Sequence, residues 1–141
     1  MKFLLSSAMA IALLGGAAQA SGDAAKGEAI FAKNCKTCHA IVDKDGKDIV
    51  KGGKTGPNQY GLIGGPAAHD EGFARYGASL KALRETGFTW TEDEVAAYIA
   101  DPRKYLQEKL GDKKAKSNMA YKVKDEQARK DVAAYLAQFA H

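Results

Sequence analysis

Cysteine is scarce in this sequence, with only 2 copies among 141 residues. So few thiols exclude a disulfide-rich scaffold and a cysteine-rich zinc module. Strong hydrophobicity is also missing, because the mean hydropathy of −0.36 is too polar for a protein with several membrane spans. The sequence does contain 45% hydrophobic and 27% charged residues, which is ordinary globular composition. Its length fits one compact domain.

The first twenty residues are predicted to be a signal peptide. Lys2 gives a positive start, residues 3–18 are apolar or small, and an A-x-A cleavage site ends at Ala20. A membrane anchor is the alternative, but this stretch is shorter than the ~20 apolar residues that a span needs. We therefore expect a periplasmic mature chain of residues 21–141, in which Met119 is the only methionine.

Capping residues and apolar periodicity predict a mostly α-helical domain. In the clearest case, apolar positions recur along one face of a helix over about 125–140. The other predicted helices cover residues 24–34, 79–86, about 92–101 and 102–110. No period-two pattern predicts a strand, so residues 41–68 and 112–124 are expected to be loops. Loops this long in a compact domain usually have a function, such as enclosing a ligand. A large buried cofactor would supply the apolar core that so many loop residues cannot form.

Cys35-Lys36-Thr37-Cys38-His39 is a C-x-x-C-H motif, the signature of covalent haem attachment. Its two thiols can each form a thioether with a haem vinyl group, and His39 can then bind the iron. A thioredoxin-type site would need a βαβ context, and a zinc site would need a second ligand pair; the sequence offers neither. A Cys35–Cys38 disulfide is the remaining alternative, although it would leave His39 unexplained.

A haem iron has a second axial position, and three residues of the mature chain are candidates for it: Met119, His69 and His141. Met119 is favoured because it lies among polar residues in a loop, a poor place for a core methionine. His69 is more typical of a solvated histidine, and His141 is the terminal residue. Iron bound by His39 and Met119 has no open position, which predicts a one-electron carrier rather than an enzyme. The alternative is a haem protein with a labile sixth ligand that acts as a peroxidase or gas sensor.

Together these features resemble the class I cytochromes c, of the larger bacterial cytochrome c2 type. The residues that carry the resemblance are Gly27, Phe31, Cys35 to His39, residues 54–58 and 61–64, Gly72, Phe73, Tyr76, Trp90, Tyr98, residues 101–105, Met119, Tyr135 and Leu136. The resemblance implies an all-α class I fold, with four to five helices and long loops wrapped around one covalent haem c and its iron. It also implies that Gly27 lets the first and last helices cross closely. Residues 40–54 and 107–118 are longer than in mitochondrial members, so their loop paths are not predicted.

The resemblance also assigns roles around the haem. It implies that the Pro57 carbonyl accepts the ring N–H of His39, which orients the ligand. Tyr76 and Trp90 match positions that hydrogen-bond a haem propionate, and Tyr98 matches the tyrosine beside the methionine ligand. For Trp90 and Tyr98 the alternative is simple core packing.

The predicted function is that of a soluble, monomeric periplasmic electron carrier. The resemblance implies that electrons arrive from a cytochrome bc1 complex and leave to a terminal oxidase (cytochrome c oxidase) or a photosynthetic reaction centre. Residues 32–54 and 102–124 carry net charges of +3 and +6, whereas residues 55–101 carry −4, a pattern that favours edge-first docking on acidic partners. The lysines predicted to help docking are Lys36, Lys104, Lys116, Lys122 and Lys124. A generic solvated lysine face is the alternative, and nucleic-acid binding is not expected.

Overall fold

The structure, a computed structural model, describes residues 21–140. The predicted signal peptide, residues 1–20, and the candidate ligand His141 lie outside the described residues. Within residues 21–140, no helix is both long enough and apolar enough to cross a membrane.

Five α-helices and one short hairpin make up the regular structure of residues 21–140, apart from a single π-helical turn. The helices are α1 (Ala24–Ile30), α2 (Ala78–Glu85), α3 (Glu92–Tyr98), α4 (Pro102–Leu110) and α5 (Glu126–Ala137). The hairpin pairs β1 (Ile41–Val42) with β2 (Asp48–Val50) in antiparallel register. The mostly α-helical fold with long loops is therefore confirmed. The hairpin is a difference, since it lies within residues 41–68, for which the sequence predicts only loop.

Side-chain caps fix where four of the helices begin. In each case an oxygen of the capping residue accepts a backbone N–H two or three positions later, which satisfies a donor that the first turn leaves unpaired. The capping residues are Asp23, Thr91, Asp101 and Asp125. Helix α4 ends at Gly111, whose φ of +62° lies in the left-handed region that favours glycine. These local signals explain why the helix positions are readable from the sequence.

Helix α1 crosses α5 at Gly27, where the two backbones come into direct contact. A Cβ atom at position 27 would lie 1.9 Å from the Asp131 carbonyl oxygen, so no larger residue fits without a shift. Beside the crossing, the Phe31 and Tyr135 rings pack with their centroids 5.7 Å apart. The Asp131 carboxylate, only 3% exposed, accepts the Asp23 N–H at 2.8 Å. The close crossing expected of Gly27 is confirmed, and it seats the segment that follows α1 against the core.

Candidate functional site

The helices and loops surround a cavity of about 840 Å³. This volume lies within the range of about 300–1,000 Å³ that is typical of ligand and cofactor pockets. Apolar side chains of α2, α3 and α5 line it, together with parts of three chain segments: residues 33–39, 55–59 and 118–121. The cavity therefore brings the C-x-x-C-H motif and Met119 to one place, although His39 and Met119 are 80 positions apart in the sequence.

Cys35 ends a widened helical turn that follows α1, and Cys38 lies in the turn directly after it. There the helix continues into a π-helical turn, Phe31–Cys35, and the Lys36 N–H donates to the Phe31 carbonyl at 3.0 Å. Both cysteines are free thiols rather than a disulfide, and both line the cavity. Burial, and to a lesser degree the adjacent Cys38, raises the pKa of the Cys35 thiol to about 11. Cys35 is therefore protonated at neutral pH.

His39 is held in one orientation by its contacts with Gly56 and Pro57. Its Nδ1 lies 2.8 Å from the Pro57 carbonyl oxygen, and because that oxygen can only accept, Nδ1 carries the proton. Burial lowers the pKa of His39 despite the opposing effect of the Pro57 bond, so the ring is neutral. Nε2 then keeps its lone pair, which is the form in which histidine binds a metal. A Cβ at position 56 would come within 2.3 Å of the ring Cε1, so only glycine leaves the ring in place.

The segment that orients His39 is fastened on two sides. The Gly56 N–H donates to the Cys38 carbonyl at 2.9 Å, which ties the segment to the C-x-x-C-H turn. On the other side, the Asn58 side chain accepts the Val42 N–H at 2.9 Å and donates to the Val42 carbonyl at 2.8 Å. Strand β1 of the unexpected hairpin thus positions the carbonyl group that orients His39.

The Met119 segment is also fastened on both sides. The Met119 N–H donates to Ser117 Oγ at 3.1 Å, and the same oxygen forms a hydrogen bond of 3.1 Å with the Tyr98 hydroxyl. Beyond Met119, the Val123 N–H donates to the Ile99 carbonyl at 2.8 Å. Tyr98 thus acts on the methionine loop through Ser117. Sequence analysis did not single out Ser117, because a lone loop serine carries no signal of a partner 19 positions away.

Two large aromatic side chains, supported from behind by a third, form one wall of the cavity. Trp90 and Tyr98 line the cavity and pack edge to face, with centroids 5.2 Å apart. Tyr105 supports both rings, stacking on Trp90 at 6.0 Å and meeting Tyr98 at 5.5 Å. The Tyr105 hydroxyl donates to the Glu94 carboxylate, whose other oxygen pairs with Lys109 at 2.5 Å. The core-packing role offered as the alternative for Trp90 and Tyr98 is therefore present, in residues that also face the cavity.

Tyr76 and His69 line the same cavity. Tyr76 accepts a hydrogen bond there, whereas His69 donates one. The Tyr76 hydroxyl oxygen accepts the Asp70 N–H at 3.1 Å. Burial is the main cause that raises the pKa of Tyr76 to about 12, so the phenol keeps its proton. His69 Nε2 lies 2.8 Å from the Asn58 carbonyl oxygen and donates to it. In this arrangement His69 Nε2 carries a proton and has no lone pair for a metal.

The five lysines predicted to help docking are all exposed. Lys122 pairs with Asp101 at 2.6 Å, and Lys104 pairs with Glu108 one helical turn along α4 at 3.7 Å. Within residues 21–140, the members of the set that form no ion pair are Lys36, Lys116 and Lys124. Lys36 belongs to the C-x-x-C-H turn, and Lys116 and Lys122 flank Met119. Positive charge therefore accompanies the C-x-x-C-H turn and the Met119 segment, two of the three chain segments at the cavity.

Comparison with known proteins gives a consistent match. The model of the Cytochrome c family matches residues 24–140. The chain is 51% identical over 137 residues to cytochrome c2 of Rhodobacter capsulatus, covering 97% of each chain. It is 48% identical over 131 residues to cytochrome c-550 of Paracoccus denitrificans, covering 92% of this chain and 82% of that protein. The solved structure of cytochrome c2 from Rhodobacter capsulatus aligns with a TM-score of 0.78 and 54% identity, covering 82% of this chain and 97% of that one.

Glu94, at the back of the aromatic wall, stabilises the fold in a pH-dependent way. Burial alone would raise the pKa of Glu94, but the hydrogen bonds from Lys109 and Tyr105 lower it below its ordinary value. A carboxylate whose pKa is lowered by folding contributes its full stabilisation above the unfolded pKa of about 4.3. It loses that contribution as the pH falls through the folded-state value.

We expect Glu94→Gln to lower the free energy of unfolding by about 1–2 kcal/mol near neutral pH, because a charged acceptor of two hydrogen bonds becomes a neutral one. Urea unfolding at a series of pH values measures this loss, which should shrink as the pH falls below about 4. Glu28→Gln neutralises an exposed carboxylate of α1 and is the control, with an expected change below about 0.5 kcal/mol. A loss that does not vary with pH would contradict this role of Glu94.

Proposed function

Because the chain belongs to the cytochrome c family, it is a one-electron carrier with a covalently bound haem c, and we propose that Cys35, Cys38, His39 and Met119 hold that haem. When bound, haem supplies an iron that changes between the ferrous and ferric states by one electron. The observation that carries the proposal is the single cavity of about 840 Å³ that all four side chains line. The protein is accordingly an electron-transfer protein rather than an enzyme.

Cys35 and Cys38 are the proposed covalent anchors. A thioether forms when an S–H group adds across a vinyl group, so each cysteine must be reduced and no oxidant is needed. Both thiols meet this requirement, since neither is in a disulfide. Cys35 is partly buried and Cys38 is exposed, and both reach the cavity from one turn of backbone. This arrangement suits attachment along one edge of a flat cofactor.

His39 and Met119 are the proposed axial ligands of the iron. His39 offers Nε2, because Nδ1 is committed to the Pro57 carbonyl. Met119 offers a neutral thioether sulfur, which favours reduced iron and raises the reduction potential relative to a second histidine. Two protein ligands leave no open position for a substrate or a gas. This pairing therefore supports the carrier over a peroxidase or a gas sensor.

We assign Tyr76, Trp90 and Tyr98 to the haem pocket. Tyr76 keeps its phenolic proton and Trp90 has a donor-only indole N–H, so both suit a propionate acceptor. Tyr98 positions the methionine loop through Ser117.

Carbon monoxide distinguishes the carrier from the alternative function. The reduced protein should bind CO slowly and weakly, because the Met119 thioether must first leave the iron; rapid and tight binding would overturn the carrier proposal.

Met119→His should keep a six-coordinate visible spectrum but lower the midpoint potential by on the order of 0.1–0.2 V in a redox titration. Gln138→His introduces a histidine at an exposed position that does not line the cavity; it is the control and should leave the potential unchanged. An unchanged potential in Met119→His would show that Met119 is not the ligand.

We propose that residues 1–20 are removed as a signal peptide and that residues 21–141 act in the periplasm as one domain. The A-x-A site ending at Ala20 supports this, and Asp23, the cap of α1, lies just beyond it, so that cleavage leaves the first helix intact. Mass spectrometry of the protein purified from the periplasm should find a chain beginning at Ser21 with one added haem. A retained leader would contradict the proposal.

The protein exchanges electrons with redox partners, and we propose that these are membrane complexes with acidic docking surfaces. A cytochrome bc1 complex would be the donor, and a terminal oxidase or a photosynthetic reaction centre would be the acceptor, with this protein acting as a soluble monomer. The support is electrostatic. Exposed lysines accompany the C-x-x-C-H turn and the Met119 segment, two of the segments that line the cavity. This positive charge steers the side of the molecule that carries these two segments toward acidic surfaces.

Electron transfer from a purified cytochrome bc1 complex should slow as salt rises, by roughly tenfold between low salt and physiological ionic strength. Lys116→Glu should slow the low-salt second-order rate by several-fold, as followed in a stopped-flow instrument. Lys26→Glu makes the same charge change on α1, away from both cavity segments, and is the matched control. Equal effects of the two substitutions would show that the lysines beside Met119 do not define the docking surface.

A further inference from the structure

Gln59 is a buried polar residue that neither the sequence motifs nor the proposed ligand set uses. Its side chain is only 8% exposed, and it lines the cavity beside His39. The Gln59 N–H donates to the Ala40 carbonyl at 3.0 Å, and its own carbonyl accepts the Leu62 N–H at 3.3 Å. Both backbone polar groups of Gln59 are therefore hydrogen-bonded, which fixes the direction in which its side chain extends from the backbone.

The amide of Gln59 shares an acceptor with His39. Gln59 Nε2 lies 3.0 Å from the Pro57 carbonyl oxygen, and His39 Nδ1 lies 2.8 Å from the same oxygen. The two nitrogens are 3.1 Å apart, but this contact is not a hydrogen bond, because both point their protons at Pro57. The amide orientation follows from the same chemistry, since the opposite flip would place two acceptor oxygens against each other. Pro57 thus accepts two N–H groups side by side.

We propose that Gln59 is a positioning residue that weakens the His39–Pro57 hydrogen bond and thereby raises the reduction potential of the haem. The proposal rests on the assignment of His39 as an iron ligand. Two physical effects have the same sign. A second donor competes for the electron density of the Pro57 oxygen, so the His39 N–H transfers less negative character to the ring. The positive end of the Gln59 N–H dipole also lies against the imidazole, and its positive potential would disfavour the additional positive charge of the ferric state. A ligand with less electron density stabilises ferric iron less, which favours the reduced state.

The test replaces the amide by apolar side chains. Gln59→Leu should lower the midpoint potential and shift the reduction equilibrium about threefold toward the ferric state, which is ~28 mV at 59 mV per tenfold change for one electron. Gln59→Met keeps an unbranched side chain without a donor and should give the same direction, so the test does not depend on one variant folding well. Gln138→Leu removes an exposed glutamine that does not line the cavity and should leave the potential unchanged.

A second readout isolates the hydrogen bond itself. In the reduced protein, the proton NMR resonance of His39 Nδ1–H should move downfield in both Gln59 variants, because the bond to Pro57 becomes stronger, whereas a purely structural role would leave it in place. A potential that rises or stays unchanged, or an unmoved Nδ1–H resonance, would overturn the role of Gln59. The visible spectrum and CO binding of the wild type test the haem ligands independently, so failure of this inference is distinguishable from failure of the proposed function.

Discussion

The hydrogen bond from His39 Nδ1 to the Pro57 carbonyl decides which nitrogen of that ring can bind a metal. The neighbouring residues Gly56 and Asn58 hold this hydrogen bond in place. Gly56 presents bare backbone to the ring, and Asn58 fastens the next residue to strand β1. Without this bond a buried neutral imidazole could place its proton on either nitrogen. With it, the lone pair is committed to Nε2, the nitrogen that can bind a metal.

Specific hydrogen bonds, more than apolar packing, hold the chain segments that surround the cavity. Five short helices leave a cavity of about 840 Å³, and the loops around it are held by specific tethers. Ser117 links the methionine loop to Tyr98, and Glu94 anchors Tyr105 behind the aromatic wall. Such contacts replace the apolar packing that a closed core would provide. They also explain how a chain with so many loop residues presents its side chains in defined positions.

The sequence predicts best what local chemistry determines. The caps at Thr91 and Asp101 and the glycine at the end of α4 act within a few residues, so the helix positions are readable. The C-x-x-C-H motif is equally local. In contrast, the hairpin is too short for a periodic pattern, and no local residue pattern marks the π-helical turn.

Two site residues, Ser117 and Gln59, could not be identified from the sequence. Each owes its role to a contact with a residue about 20 positions away. Ser117 acquires its role only when the chain brings Tyr98 beside it. Gln59 directly follows residues 54–58, which carry part of the family resemblance. Its residue type, however, predicts exposure rather than burial. Its contact with His39 spans 20 positions, and no periodicity in the sequence connects them. Only the fold shows that its amide meets the histidine.

The crossing of α1 and α5 also bears on the order in which the chain can fold. The Asp23–Asp131 bond joins residues 108 positions apart, and Gly27 meets α5 at the same place. Contacts so distant in sequence form late, because the loop between them must first be closed. The hydrogen bonds of the C-x-x-C-H turn, in contrast, join residues only three to five positions apart, so this turn can form before α5 covers α1. The sequence separation of these contacts therefore sets an order, in which the turn that carries the two cysteines forms first and the helix crossing that completes the core follows.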